Sequence, residues 1–224
     1  FGGRGLSGTG PRAGGPLYIG RLVRKAPIPP QHSSIHTDPA LLEYAAWLSG
    51  KGLNTEANTA REIGGHSALG LHVELAGPVG ERNLYALHPR GRILLVPQTE
   101  AGLYQQVAAA LATGNQLVID AASGLKSALS GLPAAVEARV SWTSDWEADG
   151  PFSGALVEGD TKRISEVNRR IAQLSGPLVL VQAASTEELK RDPDAYCLNW
   201  LLEEVSTSIN TAAAGGNASL MAIG

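Results

Sequence analysis

Five short apolar runs punctuate the second half of the chain: RILLVP (92–97), QLVID (116–120), ARVSW (138–142), GALVEG (154–159) and PLVLVQA (177–183). All but ARVSW lack the apolar–polar alternation of a strand with one wet face, so both faces of these runs need cover. Helix-type sequence separates several of them. EAGLYQQVAAALATG (100–114) places Leu103, Val107, Ala110 and Leu111 at helical spacing, and 124–129 and 161–174 read as further helical segments. Buried strands joined through helices run parallel, because a parallel connection needs a crossover. The expectation is an α/β fold, a Rossmann-like three-layer parallel sheet with extended N- and C-terminal arms. Sheets of this kind can bind dinucleotides at their strand ends, but the architecture by itself grants no activity.

The first half is organised differently. Residues 1–16, FGGRGLSGTGPRAGGP, hold seven glycines and two prolines and read as a loop. LYIGRLVRK (17–25) alternates like a strand and, with no sequence neighbour to pair with, like an edge that invites another chain. Residues 26–39 form a proline-punctuated linker. Asp38 then precedes PALLEYAAWLSG, with Pro39 suited to a first helical turn and Gly50 to a stop. Residues 51–67 read as helical turns ended by Gly64 and Gly65, and 72–78 and 83–89 as a pair of strands. A final helix over 194–206 would carry Tyr196, Trp200, Leu201 and Val205 towards the sheet.

Composition excludes several function classes. A net charge of −3 and the lack of a basic stripe give no attraction to nucleic acid or anionic membranes, and no run approaches ~20 apolar residues. The single cysteine, Cys197, leaves no intramolecular disulfide and suits a reducing cytoplasm. Set at helical spacing among Tyr196 and Trp200, it reads as a buried thiol. His32 and His36 are the one i, i+4 histidine pair, but they lie in the proline-rich linker and make no metal site. Asp145, Glu147 and Asp149 read as a solvated loop rather than a calcium site. At VEGDTKRISEVN a strand meets a helix through glycine, where a pyrophosphate can sit. There Asp160 is the N-cap, so the chain's own carboxylate takes the anion position and repels a phosphate.

The chain ends on SINTAAAGGNASLMAIG (208–224), small residues followed by Leu220, Met221 and Ile223. By composition this is either a frayed end or a segment that closes tightly onto something.

FGGRGLSGTGPRAGGPLYIGRL at the start resembles the end of the aldehyde dehydrogenase fold, as found in L-glutamate-γ-semialdehyde dehydrogenases. The terminal SINTAAAGGNASLMAIG resembles the C-terminal motif of long-form proline utilization A, a family of bifunctional proline-catabolising bacterial enzymes. GPVGERNLYALHPRGRILLVPQTEAGLYQQVAAALATGNQLVID resembles that family's C-terminal aldehyde-dehydrogenase-like domain.

The resemblance implies a parent protein with a flavin-dependent (FAD) proline dehydrogenase domain and an NAD-dependent semialdehyde dehydrogenase domain, joined by an enclosed tunnel. Lacking an initiator methionine, the chain reads as a fragment or a processed product. It would divide into a dehydrogenase remnant with an oligomerisation strand (1–25), a linker (26–39), a dehydrogenase-like domain (40–208) and a docking motif (209–224). Phe1 matches the family residue that packs against the aldehyde, with Gly2 and Gly3 continuing that motif. The flavin barrel, the loop that grips the substrate carboxylate and the catalytic cysteine would lie outside this chain.

Within the dehydrogenase-like domain the implied working positions are changed. Thr99 stands where an asparagine would stabilise the oxyanion, Asp120 where a lysine would hold the ribose, and Asp160 where a serine would meet the pyrophosphate. The general base falls on Val181 or Gln182. Losing an oxyanion donor costs ~10²–10³ in rate and losing a base ~10²–10⁴. The expectation is a domain without catalytic residues, metal or bound cofactor of its own. In the tail, Asn210, Thr211, Gly215, Gly216, Asn217, Leu220, Met221 and Ile223 would dock on the parent's dehydrogenase domain and cover the tunnel. A homodimer through the N-terminal strand or exchanged arms is the further expectation. An autonomous NAD(P)-binding protein is the alternative.

Overall fold

The apolar runs lie side by side in a computed structural model that describes residues 37–211 except 78, together with residues 4, 5, 8, 9, 12, 15, 17, 18 and 22. A two-residue ladder, β1 (Arg4–Gly5) and β2 (Gly8–Thr9), comes first, then helices α1 (Pro39–Gly50) and α2 (Asn54–His66). Strands β3 (His72–Leu75), β4 (Glu81–Pro89) and β5 (Arg92–Val96) follow, then α3 (Glu100–Ala112), β6 (Gln116–Asp120) and α4 (Ala134–Glu137). The chain continues through β7 (Val140–Thr143), β8 (Gly154–Glu158), α5 (Thr161–Ile171), β9 (Leu180–Ala184), α6 (Thr186–Arg191) and β10 (Leu202–Asn210).

The parallel sheet has the order β7-β6-β5-β8-β9. Successive residues of its central strands enter opposite cores, as the pleat demands. Ile93, Leu95, Leu117, Ile119 and Leu156 face α1, α2 and α3. Leu94, Val96, Val118, Ala155 and Val157 face the other way, onto Val167 and Ile171 of α5, with Trp146 and Phe152. The three-layer α/β expectation therefore holds. α3 is more deeply enclosed than its spacing implied: every residue from Gly102 to Ala112 is buried, Gln105 and Gln106 included. It lies between the sheet on one side and α1 and α2 on the other, so no face is left for water.

Capping explains where α1 starts. Asp38 accepts a hydrogen bond from the Ala40 N–H at 2.9 Å, and Pro39 fills the first turn, where no donor is needed. The 51–67 segment is a regular helix from Asn54, and Gly64 and Gly65 lie inside it rather than ending it. A Cβ at Gly64 would stand 2.6 Å from Leu41 Cδ2, so glycine there lets α1 and α2 approach.

A second, antiparallel sheet has the order β10-β4-β3. The 72–78 and 83–89 strands pair as expected, but the final helix does not form. Leu198–Leu201 makes only a turn of 3₁₀ helix, and Leu202–Asn210 is a strand paired residue for residue with Glu81–Pro89. The β-branched Val205, Thr207 and Ile209 suit that strand, and pairing with β4 outweighs the local helical spacing. Of the aromatic and aliphatic residues assigned to that helix, Tyr196 and Leu201 are buried whereas Val205 is exposed. The 17–25 strand is also corrected. Leu17 and Tyr18 lie in a turn and Leu22 in 3₁₀ geometry, and the rest of that stretch lies outside the described residues. Leu17 packs with Ala68, Leu71, Tyr85, Leu87 and Leu202 instead of offering an edge.

Candidate functional site: a filled crevice at the strand ends

The strand order reverses between β5 and β8: the chain leaves β5 for β6 and β7 on one side, then returns to build β8 and β9 on the other. The carboxyl ends of two such strands bound the crevice where open α/β sheets take their ligands. Here β5 runs into Pro97, Gln98 and Thr99, and Thr99 caps α3 by accepting from the Gly102 N–H at 3.0 Å. β8 ends on Glu158, followed by Gly159 and Asp160, the cap of α5.

Glu158 occupies the crevice. Its carboxylate is 0% exposed and accepts four hydrogen bonds. Oε2 takes the backbone N–H of Gln98 at 2.7 Å and that of Thr99 at 2.9 Å; Oε1 takes the hydroxyls of Thr99 and Thr186, each at 2.8 Å. These donors surround the N-terminus of α3, where the helix dipole favours an anion. The first turn of α3 comes so close that a Cβ at Gly102 would overlap the carboxylate. Arg163 closes the crevice from α5. Its Nε donates to the Glu158 carbonyl at 3.0 Å and its Nη2 to the Pro97 carbonyl at 3.2 Å, so the guanidinium bridges the ends of β5 and β8.

The residues singled out from the sequence separate into distinct places. Thr99 is part of this cluster. Asp160 accepts from the Arg163 N–H at 2.8 Å, the N-cap geometry expected of it. Asp120 lies at the end of β6, buried, with Oδ1 accepting from Trp146 Nε1 at 3.1 Å. Gln182 is spoken for: its amide donates to the Cys197 carbonyl at 3.1 Å and accepts from the Cys197 N–H at 2.7 Å. Val181 packs against the α5-side core. Burial raises the pKa of the Cys197 thiol, which disfavours the nucleophilic thiolate. Asp145 ties its own loop by accepting from the N–H groups of Glu147 and Ala148.

Asn210 ends β10 opposite Glu81, and the Thr211 N–H donates to the Gly80 carbonyl at 2.8 Å. Phe1, Gly2, Gly3, His32, His36, Gly215, Gly216, Asn217, Leu220, Met221 and Ile223 lie outside the described residues. Among the described residues no group of three His, Cys, Asp or Glu is placed to hold a metal ion, and no helix is long and apolar enough to cross a membrane. A cavity of about 290 Å³ beside Trp146 and Phe152 and one of about 150 Å³ between α2, α3 and α6 lie elsewhere; neither is lined by Thr99, Asp120, Glu158 or Asp160.

Sequence reasoning passed over Glu158, Thr186 and Arg163. The available signal was a lone carboxylate closing an otherwise apolar strand, directly before Gly159 and Asp160. An unpaired charge in that position is expensive, so its presence asks for donors.

Fold and crevice together define a class: a doubly covered α/β domain of nucleotide-binding topology whose ligand end is filled by its own side chains, with an antiparallel sheet appended. No family model matches the chain. It is, however, homologous over its whole length to a segment of the bifunctional proteins PutA. It is 72% identical to that of Rhizobium meliloti across all 224 residues and 35% identical to that of Salmonella typhimurium, again over 100% of the chain. It spans 18% of the length of each of these relatives. A solved structure of proline utilization A with proline bound in remote sites aligns with a TM-score of 0.50 and 20% identity, covering 70% of this chain and 20% of that one. Aldehyde dehydrogenases are also among the structural neighbours.

Proposed function

We propose that the chain is a non-catalytic structural module of a bifunctional proline dehydrogenase and L-glutamate-γ-semialdehyde dehydrogenase, covering the substrate-channelling tunnel and aiding assembly. The observation that carries the reading is the buried Glu158 carboxylate, held by four donors at the strand-end crevice. A dinucleotide pyrophosphate placed there would meet a fixed negative charge, and the donors it needs are already taken. Asp120 at the end of β6 adds a second carboxylate to the same edge of the sheet. FAD and NAD belong, in this reading, to the preceding catalytic domains of the parent, and this module binds neither. Residues 1–25 belong to the end of the dehydrogenase domain, and 209–224 dock on that domain. A homodimer through the N-terminal segment or exchanged arms accompanies this organisation.

Two measurements test it. Calorimetric titration of the 224-residue chain with NAD and NADP should give no saturable heat. Saturable binding would favour an autonomous nucleotide-binding protein and overturn the reading of the crevice. Truncating the full-length parent after Ser208 should introduce a lag in NADH formation from proline while leaving each half-reaction intact. Unchanged coupling would remove the cover role.

A further inference from the structure

We propose that Glu204 is a latch that fastens the N-terminal arm onto the antiparallel sheet, its carboxylate gripping the main-chain N–H of Arg12. Although β10 is exposed from Val205 onwards, Glu204 is only 6% exposed. Its Oε1 accepts from the Tyr85 hydroxyl at 2.7 Å and its Oε2 from the Arg12 backbone N–H at 2.7 Å. Arg12 Nε also donates, to the Glu204 carbonyl, at 3.2 Å. Burial, and then the bond to Glu204, push the Tyr85 pKa upwards, so its hydroxyl keeps the proton it donates.

The arm is shaped to reach this carboxylate. It turns back on itself through Gly15 N–H to Arg12 O at 2.9 Å and Tyr18 N–H to Gly15 O at 3.0 Å. A Cβ at Gly15 would overlap Glu204 Oε1, so a side chain there would push the carboxylate off its donors. Just beyond, Leu17 enters the small core formed by Ala68, Leu71, Tyr85, Leu87 and Leu202. A polar anchor at Arg12 and an apolar one at Leu17 thus hold the arm to the sheet made by β3, β4 and β10. The partner gripped is the stretch of polypeptide leading into this module. In the parent the latch sets how the preceding domain sits on it, a consequence that rests on the module reading given above.

The test uses the full-length parent carrying Glu204→Ala, Glu204→Gln or Gly15→Ala. Trypsin cleavage of the Arg12–Ala13 bond under native conditions reports how often the arm detaches, because cleavage tracks the open population when reclosing is fast. Cleavage after Arg61, on the exposed side of α2, serves as the control for general loosening. Glu204→Ala should speed cleavage at Arg12 by at least about tenfold, the equivalent of one lost charge-assisted hydrogen bond, with Arg61 unchanged. Glu204→Gln and Gly15→Ala should act in the same direction, more weakly. A rate at Arg12 within about twofold of the parent's, or an equal rise at Arg61, overturns the latch. Because this readout needs neither activity nor coupling, failure of the latch is distinguishable from failure of the module reading, which the truncation after Ser208 tests by itself.

Discussion

Replacing Glu158 with glutamine keeps the shape of the side chain and removes one of its acceptor groups. Oε2 faces two backbone N–H groups that cannot turn away, and Oε1 faces two hydroxyls that can. The amide must therefore set its carbonyl towards Gln98 and Thr99 and its NH₂ towards the hydroxyls. The two backbone bonds survive as neutral ones, each weaker by about 1 kcal/mol than a bond to a charged acceptor. The hydroxyls of Thr99 and Thr186 lose their acceptor in a site that is 0% exposed, at about 1 kcal/mol each. Opposing this, the neutral amide escapes the desolvation cost of a buried carboxylate, which recovers part of the loss. The net expectation is a destabilisation of about 2 kcal/mol, or roughly 4–8 °C in Tm for a domain of this size. Urea unfolding followed by tryptophan fluorescence measures it directly. Pairing the change with Thr186→Val should give a total smaller than the sum of the single losses by at least about 0.5 kcal/mol, since both act on one cluster. A Glu158→Gln chain within about 0.5 kcal/mol of the original would mean that the carboxylate does not hold those donors. The crevice would then be open to other ligands.

Asp38 and Cys197 supply two simpler tests. Asp38→Ala removes both the cap of α1 and the buried partner of Arg139, 2.8 Å away, and should cost about 2–3 kcal/mol in urea unfolding; a cost of no more than about 0.5 kcal/mol would mean that neither contact stabilises the fold. Burial raises the Cys197 pKa from 9.0, so the folded chain keeps a proton that the unfolded chain sheds. Stability should therefore be fully present below pH 9.0 and decline as pH rises above it, and Cys197→Ala should flatten that part of the profile. Cys197 is half-buried, so native-state labelling of the thiol should be slower than labelling of the unfolded chain, and equal rates would contradict its partial burial.

The parallel sheet was legible because RILLV and GALVE show no alternation, and unalternating runs between helices need cover on both sides. The start of α1 was legible in Asp38 and Pro39 for an equally local reason, a cap and a residue that needs no donor. The strand β10 was not. Tyr196, Trp200, Leu201 and Val205 fall at helical spacing, and what makes Leu202–Asn210 a strand is a partner in β4 more than a hundred residues away. The short α6 carried its own signal, a capping box in which Ser185 and Glu188 satisfy each other's backbone N–H groups, yet its six residues give too little periodicity to read. At the crevice, Asp160 was readable as a cap from its place before a helix. Glu158 was not, because its four donors come from the segment after β5 and from the start of α6, neither adjacent to it in sequence.

What the residue order determined alone is therefore whatever depends on neighbours along the chain: the buried strands, the capped helices and the low charge that offers phosphate no general attraction. Which strand pairs with β4, which carboxylate fills the strand-end crevice and which glutamate grips the arm were decided only in three dimensions. The physical reason is that a buried charge or a strand edge takes its energy from the donors that surround it, and folding, not sequence proximity, chooses those donors.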